Sequence, residues 1–315
     1  MVKIAIAGGS GQVAQEVIDA LMATKKHEIT ILSRKGSARD MTSGIHFSAV
    51  NYNDKSDLAE ALQGVHTVLS FIQLLSDTGN QSQKNLIDAC ISAGVKRFAP
   101  SEYSSSEVTD MPFYAGKEVI RDYLKKVNEN RKVLEYTLFQ PGLFLDYLGF
   151  PYKTSKHIAP LSTFIDFQHC RAIVIEDHDF FMTFTAAHDL ATVVARAVDY
   201  EGEWPVIGGI RGNRVPVSKI LEIGEKVRGR PFAIEKVKLE DLEAGVLKTS
   251  WTLQASHASV DEEQATNMLT TVLIAMLLSS AKGAWDVSNE FNELVPNYEF
   301  VQIDDFLAKT WEGKP

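Results

Sequence analysis

The sequence predicts an α/β protein built on a doubly wound parallel sheet, and three observations support this expectation. The chain opens with a short apolar strand, which is followed by a turn with three glycines and then by an amphipathic helix. Apolar strands and helices then alternate over residues 28–139 with short connections, as they do when helices cover both faces of a parallel sheet. The chain has 315 residues, 45% hydrophobic and 23% charged, and is therefore long enough to bury a large core.

The glycine turn is the most informative stretch of the sequence. Residues Lys3–Ala7 form the first strand, and Gly8, Gly9 and Gly11 follow it directly. Glycines allow a tight reversal that leaves bare N–H groups at the positive end of the next helix, where a pyrophosphate can bind. Ala14 occupies the third small position of the dinucleotide-binding fingerprint. A tight strand-to-helix turn in another kind of α/β protein is the alternative. The pattern predicts a Rossmann-type nucleotide site whose phosphate-binding residues are Gly8, Gly9, Ser10, Gly11, Gln12 and Val13.

The end of the second strand, Glu28–Leu32, indicates which dinucleotide binds. It is followed by Ser33, Arg34 and Lys35, and no acidic residue occurs between Ile29 and Arg39. An acidic residue at this place would bind the ribose 2′-hydroxyl of NAD, whereas arginine suits a 2′-phosphate. The sequence therefore favours NADP(H), although the two basic residues could also be ordinary surface charges.

The remaining strands of the sheet place further polar and aromatic residues at the same edge. Parallel strands end at one edge of the sheet, where the cofactor of such a fold lies. We therefore include Asn51, Phe71, Gln73 and Ser101 among the cofactor-binding candidates, with turn or cap roles as the alternative. The expected strands are His46–Val50, Thr67–Ile72, Lys96–Ala99 and Glu135–Phe139, and the expected helical segments are Leu58–Leu62, Gln83–Ala93 and Tyr114–Asn128.

The pattern changes after Pro141 and Gly142, which end the sixth strand. The segment Leu143–Phe167 is aromatic and irregular, so it either packs under the sheet edge or lines a pocket for an apolar ring. Pro141, Gly142 and Phe144 are candidates for cofactor contact. We predict a nucleotide-binding domain at 1–150 and a smaller α/β substrate lobe at 151–315, with an interleaved boundary. The lobe's expected elements are Arg171–Ile175, Phe180–Thr185, Ala187–Val198, Val217–Val227, Phe232–Val237, 261–281 and Ile303–Trp311.

Composition limits which partners and which cellular location are expected for this chain. A net charge of −9 argues against a nucleic-acid groove, since such sites are basic. Cys90 and Cys170 are the only cysteines, and the N-terminus enters a strand without the features of a secretory signal, so a cytoplasmic location is expected. The apolar run Met268–Leu278 is too short to cross a bilayer and indicates a buried helix or a subunit contact in a monomer or homodimer. We predict no metal site.

Several motifs together resemble the NmrA-like and isoflavone-reductase-like branch of the atypical short-chain dehydrogenases, in their fungal form. The motifs are GGSGQVA at 8–14, SRK at 33–35, PSEY at 100–103, GKEVIR at 116–121 and FQPGLFLDYL at 139–148. The resemblance implies a Rossmann domain with a C-terminal substrate lobe, and an enzyme that uses NADPH to reduce small aromatic or enone-like molecules. It also implies an active-site lysine in a K-x-x-x-R pattern, which Lys117 and Arg121 match. Other members of this branch are redox-sensing binders without turnover.

Lys117 can also be argued from its position. It lies near the start of a helix that follows a loop at the sheet's carboxyl edge, so its ammonium group is expected to point toward a bound nicotinamide ribose. A solvated helix lysine, as expected for Lys125 and Lys126, is the alternative. Tyr114 lies three residues before Lys117, whereas the main short-chain dehydrogenases space the pair by four. Tyr103 is a further catalytic candidate.

The function that these observations favour is hydride transfer from NADPH to a small aromatic, enone or polyketide-like molecule. Lys117, Tyr114 and Tyr103 are the catalytic candidates, and Lys117 also contacts the cofactor. The alternative is a protein without catalysis that senses NADP(H) and binds a protein partner.

Overall fold

A computed structural model describes residues 1–34, 44–253 and 262–315 and contains the expected central sheet. Within these residues six strands pair in parallel in the order β3-β2-β1-β4-β5-β6. The strand order reverses between β1 and β4, and this switch point is where open α/β sheets bind ligands. The fold class is therefore confirmed as Rossmann-type. The strands are β1 Lys3–Ala7, β2 Glu28–Ser33, β3 Ile45–Ala49, β4 Thr67–Ser70, β5 Arg97–Ala99 and β6 Glu135–Tyr136.

Alternating side chains of β1 divide the core into two layers. Ile4 and Ile6 point to one face and pack with α1 and α5, whereas Ala5 and Ala7 point to the other face, which α2, α3 and α4 cover. This two-sided burial explains why β1 has no polar residue after Lys3. The helices are α1 Gln12–Thr24, α2 Lys55–Ala61, α3 Gln81–Ala93, α4 Ala115–Val127 and α5 Ala187–Asp199.

The expected sixth strand is two short strands. Thr137 separates β6 from β7, Leu138–Gln140, and at this point the chain changes its hydrogen-bond partner. The Thr137 N–H donates to Phe98 O on β5, whereas the Leu138 N–H donates to Val206 O. From there β7 pairs in parallel with β12, Ile207–Gly209. The strand β12 was not expected, because a stretch that ends in two glycines carries no strand pattern.

The rest of the described chain forms two three-stranded sheets, β14-β10-β9 and β13-β11-β8, with helices packed around them. Of these strands, only β10, β11 and β14 were expected; β8, β9 and β13 are two to four residues long. The strands are β8 Leu143–Phe144, β9 Ile165–Asp166, β10 Arg171–Ile175, β11 Phe181–Thr185, β13 Asn213–Pro216 and β14 Ala233–Val237. The helices are α6 Val217–Arg228, α7 Leu239–Glu243, α8 Glu262–Ala281, α9 Glu290–Leu294 and α10 Ile303–Trp311.

The apolar run in α8 packs into the core of this second part. Leu273 and Leu277 are fully buried, and Met268 at the start of the run is 60% exposed. The structure supports the buried-helix alternative for most of the run. Among the described residues, no helix is long and apolar enough to span a bilayer.

Two elements beyond residue 150 pack on the nucleotide-binding part. The helix α5 lies against α1, and β12 pairs with β7, which follows β6 of the main sheet after one residue. The Asp146 carboxylate, buried near the end of the first part, accepts the Ala187 N–H at 2.8 Å at the start of α5. The division at 1–150 and 151–315 stays a prediction, with these two elements as its points of interleaving.

Candidate functional site

The glycine turn brings the backbone of β1 against the end of β4. Gly8 has a φ of +74°, and a Cβ on it would lie 2.6 Å from the Phe71 carbonyl oxygen. The Gly11 N–H donates to Gly8 O at 3.0 Å and closes the turn. Helix α1 starts at the next residue, and Gly11 has no side chain with which to cap it. The first-turn N–H groups of α1 therefore face the carboxyl edge of the sheet, in the geometry that binds an anion.

The other residues of this turn differ in their surroundings. A Cβ on Gly9 would lie 2.8 Å from Ile31 Cγ2, so even alanine would require the Ile31 side chain to shift. Ser10 is exposed and Val13 is half-buried. The Gln12 side-chain oxygen accepts the Ala159 N–H at 2.9 Å, so the second part of the chain crosses over the start of α1.

The ends of β2 and β3 lie beside the turn. Arg34 is exposed directly after β2, and Ser33 is half-buried at its end. The Tyr52 hydroxyl donates to Leu32 O at 3.2 Å beneath them. The side-chain oxygen of Asn51 accepts the Asn53 N–H at 3.0 Å, as in an ordinary turn before α2. Lys35 lies outside the described residues.

The segments that follow β4 and β5 meet through two aromatic rings. Phe71 and Tyr103 stack with their centroids 4.5 Å apart. Ser101 N–H donates to the Gln83 side chain at 3.1 Å, and Gln73 is exposed before a short 3₁₀ helix. The candidates Phe71, Gln73, Ser101 and Tyr103 are thus at one edge of the sheet, as the parallel pairing requires.

The Tyr103 hydroxyl is buried and has no hydrogen-bond partner among the described residues. Burial raises the pKa of this phenol well above its ordinary value, and the nearby Glu102 carboxylate adds to the rise. Tyr103 also has a φ of +37°, which is uncommon outside glycine. Its side chain therefore offers a stacking surface, and its catalytic role stays a prediction.

The Pro141–Phe144 segment lies next to the same loop. Gly142 has a φ of +73°, and its N–H donates to Ser104 O at 3.1 Å. A Cβ there would lie 2.3 Å from Thr183 O on β11, so only glycine fits. Pro141 O accepts the Thr185 hydroxyl at 2.7 Å. Phe144 is buried, with its ring 5.6 Å from that of Tyr147.

Lys117 lies in the first turn of α4, and its side chain is not solvated. The residue is 4% exposed, and Nζ donates to the backbone carbonyl of Glu102. Nζ also lies 4.2 Å from the centroid of the Tyr114 ring. Burial lowers the pKa of the Lys117 ammonium to about 8; the Glu102 carboxylate opposes this shift and Arg121 adds to it. A lysine with this pKa can both hold and release a proton near neutral pH.

Tyr114 lies at the N-cap of α4 and borders the same ammonium group. Burial raises the pKa of its phenol, and a side-chain hydrogen bond with Ser104 partly opposes the rise. Tyr114 and Lys117 therefore come together despite their spacing of three, while Tyr103 faces Phe71 instead.

Glu102 is the residue of this site that the sequence analysis missed. It is 3% exposed, and its carboxylate accepts two hydrogen bonds from Arg121, from Nε at 3.1 Å and from Nη2 at 2.7 Å. A signal was present in the sequence, because Lys117 and Arg121 share one helix face and two such cations need an anion nearby when that face is buried.

The sequence is similar to those of known proteins. Residues 2–307 match the sequence model of the NmrA-like family. The oxidoreductase swnN of Metarhizium robertsii is 27% identical, with 100% of this chain and 98% of that protein aligned. The oxidoreductase BOA1 of Botryotinia fuckeliana is 32% identical over 74% of this chain and 78% of its own length.

A solved structure shows the same fold. The structure described as AtPrR2 with NADP+ and (+)pinoresinol superposes with a TM-score of 0.72 at 18% identity. The match covers 98% of each chain, so both parts of the fold are shared.

We expect Gly8→Ala to destabilise the protein more than Gly94→Ala. Both residues have positive φ values, +74° and +72°, so alanine costs about 1–2 kcal/mol at either position through its backbone conformation alone. A Cβ on Gly94 meets nothing within 4 Å, whereas a Cβ on Gly8 meets the Phe71 backbone. Urea denaturation of both variants measures the difference. Equal losses would mean that the close approach at Gly8 does not exist.

The buried ammonium of Lys117 predicts a pH dependence of stability. Its pKa is about 8 in the folded protein against an ordinary value of 10.5, so the unfolded chain binds more protons between these values. The free energy of unfolding of the wild type, relative to Lys117→Met, should therefore be constant below pH 8 and rise between pH 8 and 10.5. Urea denaturation at pH 7 and pH 9.5 gives both differences. The same difference at both pH values would contradict the burial of a charged lysine.

Proposed function

This chain is an oxidoreductase that belongs to the NmrA-like family, and we propose that it uses NADPH to reduce a small aromatic, enone or polyketide-like molecule by hydride transfer. The observation that carries this proposal is the buried Lys117 ammonium in the helix that follows β5. The ammonium group lies at the edge of the sheet where the nicotinamide end of a dinucleotide bound at the glycine turn would lie. Its pKa of about 8 suits proton donation at neutral pH.

The residues present fit NADPH. The Gly8 backbone is so close to Phe71 O that the turn has no room for a side chain, and the first-turn amides of α1 remain for a pyrophosphate. We assign the phosphates to Gly8, Gly9, Ser10, Gly11, Gln12 and Val13. Ser33, Arg34 and Lys35 would bind the 2′-phosphate, because a guanidinium recognises phosphate through paired charge-assisted hydrogen bonds. The curated relatives swnN and BOA1 are named oxidoreductases, and the AtPrR2 structure contains NADP+.

The remaining candidates would surround the nicotinamide half. NADPH supplies the hydride when bound. Lys117 would donate hydrogen bonds to the ribose and then a proton to the substrate atom that becomes negative. Tyr114 would fix the position of the ammonium through its ring face and contact the substrate with its hydroxyl. The other residues assigned to the cofactor surface are Asn51, Phe71, Gln73, Ser101, Pro141, Gly142 and Phe144.

Aromatic and apolar side chains near Lys117 support a substrate with an apolar ring. Tyr114 lies close enough to Tyr147 to raise the pKa of the Tyr147 phenol, after the larger effect of burial. On the side of Tyr147 that faces residues 162–171 the structure has a small cavity, which Leu148, Phe150 and Phe167 line together with polar groups. This cavity has room for about one water molecule only. The support for an apolar ring is therefore the Tyr114 ring that lies against Lys117, with Tyr147 nearby.

The test of the proposal is a cofactor and substrate screen. Fluorescence titrations with NADPH and NADH measure the two dissociation constants, and NADPH oxidation is then followed with enones, quinones and aryl ketones. The proposal requires tighter NADPH binding and turnover of at least one of these classes. Redox-dependent binding of a protein partner without any turnover would support the sensor alternative instead.

Arg34→Ala should weaken NADPH binding selectively. Loss of charge-assisted hydrogen bonds worth about 1.5–3 kcal/mol raises the NADPH dissociation constant roughly tenfold or more and leaves that of NADH unchanged. Arg131→Ala is the matched control, because Arg131 is an exposed arginine that precedes β6 at the opposite edge of the sheet. An equal effect on both cofactors would refute the assignment of Arg34 to the 2′-phosphate.

Lys117→Met should abolish turnover while NADPH still binds, since methionine fills the space but has no proton to donate. The control Lys125→Met changes a lysine of the same helix whose side chain is 67% exposed, and we expect it to keep full activity. Steady-state rates and NADPH titrations of both variants provide the comparison. Full activity of Lys117→Met would remove this lysine from the mechanism.

A further inference from the structure

The loop that joins β5 to the residues before α4 carries Glu102 in two roles. Its backbone carbonyl accepts a hydrogen bond from Lys117, and its carboxylate accepts two from the Arg121 guanidinium. Lys117 and Arg121 are four residues apart on α4 and thus lie on one face of the helix. A single loop residue therefore binds both cations of this face.

Arg121 holds the loop at a second point. Its Nη1 donates to Ser106 O at 3.0 Å, four residues beyond Glu102. The same nitrogen also donates to Glu118 at 3.0 Å. One guanidinium thus fixes both ends of the 102–106 segment against α4.

The backbone of this loop needs such an anchor. Tyr103, directly after Glu102, has a φ of +37°, a conformation that is unfavourable for a residue with a side chain. The peptide that carries the Glu102 carbonyl is therefore not held by regular strand geometry. The stacking of Tyr103 on Phe71 fixes one side of this peptide, and the Glu102–Arg121 ion pair fixes the other.

Stability alone does not explain a buried ion pair at this place. Arg121 and Glu102 are 6% and 3% exposed, and the cost of removing two charges from water commonly exceeds their mutual attraction. An apolar pair of similar volume would stabilise the loop at least as well. The arrangement differs from an apolar pair in that its hydrogen bonds fix the direction of the Glu102 carbonyl.

We propose that Glu102 and Arg121 are positioning residues for the reaction proposed above: their ion pair fixes the Glu102 carbonyl oxygen, which in turn holds the Lys117 ammonium in place for proton transfer. This inference rests on the proposed function, because it assigns a role within the same reaction. Neither residue contacts the substrate or cofactor in this account.

The charged and titratable groups around Lys117 determine how its titration responds to each substitution. Glu102 and Tyr114 face the ammonium directly, Arg121 follows one turn later, and Glu118 and Glu107 act on Arg121. The Glu102 carboxylate raises the pKa of Lys117, and Arg121 lowers it. Removal of the carboxylate should therefore move the Lys117 titration to lower pH.

The main test is Arg121→Lys, which keeps the charge but loses the planar guanidinium that makes two parallel bonds. A misplaced catalytic group can cost about a hundredfold in rate, so we expect the rate of hydride transfer per folded protein to fall by about ten- to a hundredfold. The NADPH dissociation constant should stay within about twofold. Stopped-flow measurement at saturating NADPH and substrate gives the rate.

The matched control is Arg97→Lys. Arg97 forms a similar ion pair with Glu135, Nε to Oε1 at 2.9 Å, but at the start of β5 and therefore at the opposite edge of the sheet. The Arg97→Lys substitution should lower the unfolding temperature and leave the rate of hydride transfer unchanged. Glu102→Met/Arg121→Met removes the bonds without leaving an unpaired charge, so it keeps the test valid if a single variant fails to fold.

A second readout is the titration of Lys117 itself, followed through the side-chain ¹³Cε resonance that disappears in Lys117→Met. A shift to lower pH in Glu102→Gln, together with the slower rate in Arg121→Lys, supports the inference. Wild-type rates in Arg121→Lys and in the double methionine variant, with the Lys117 titration of Glu102→Gln unchanged, would overturn it while the proposed function stands. A wild-type protein that oxidises no NADPH with any substrate class would overturn both.

Discussion

A buried ammonium group imposes the strongest constraint on this structure. Lys117 lies in the first turn of α4, where the positive end of the helix dipole opposes a cation, and the surrounding side chains exclude water. A charged group in such a place needs an acceptor, and the Glu102 carbonyl provides it. The Tyr114 ring supplies a second favourable contact through its π face. Such costly arrangements concentrate at functional sites, where a shifted pKa serves chemistry.

Two glycines set the geometry on which this arrangement depends. Gly8 brings β1 against the carbonyl of Phe71, and Gly142 brings the end of β7 against the carbonyl of Thr183 on β11. At both positions one backbone touches another, so side chains of any size are excluded. The first contact places the glycine turn beside the ring that stacks on Tyr103, and the second ties the aromatic segment to the small sheet. The two parts of the fold thus meet at the edge that carries Lys117.

Local pattern was sufficient to predict the central sheet. The strand β1 and the helices α3 to α5 agree with expectation within two residues, because their apolar periodicity and their glycine or proline boundaries lie within the segments themselves. The pairing of β7 with β12 was missed, since it joins residues about seventy positions apart and depends on a strand that ends in two glycines. No local signal encodes such a contact.

The site was predictable in its residue types but not in its contacts. Lys117, Lys125 and Lys126 are three lysines of one predicted helix, and the sequence does not distinguish them. The packing of α4 decides that Lys117 is buried and that Lys125 is exposed. The two candidate tyrosines could not be distinguished either, because the direction of each ring depends on backbone angles such as the positive φ of Tyr103. The pair Lys117 and Arg121 indicates a buried anion, but Glu102 was missed because the sequence does not say which acidic residue of another segment supplies it.

The most direct test of the account is a crystal structure of the protein grown with NADPH. We expect the pyrophosphate to lie against the amides of residues 9–13 and the nicotinamide ring to lie beside Lys117 Nζ, with the ammonium still bonded to Glu102. A crevice that stays empty at saturating NADPH, or a nicotinamide ring bound at a site remote from Lys117, would contradict the account.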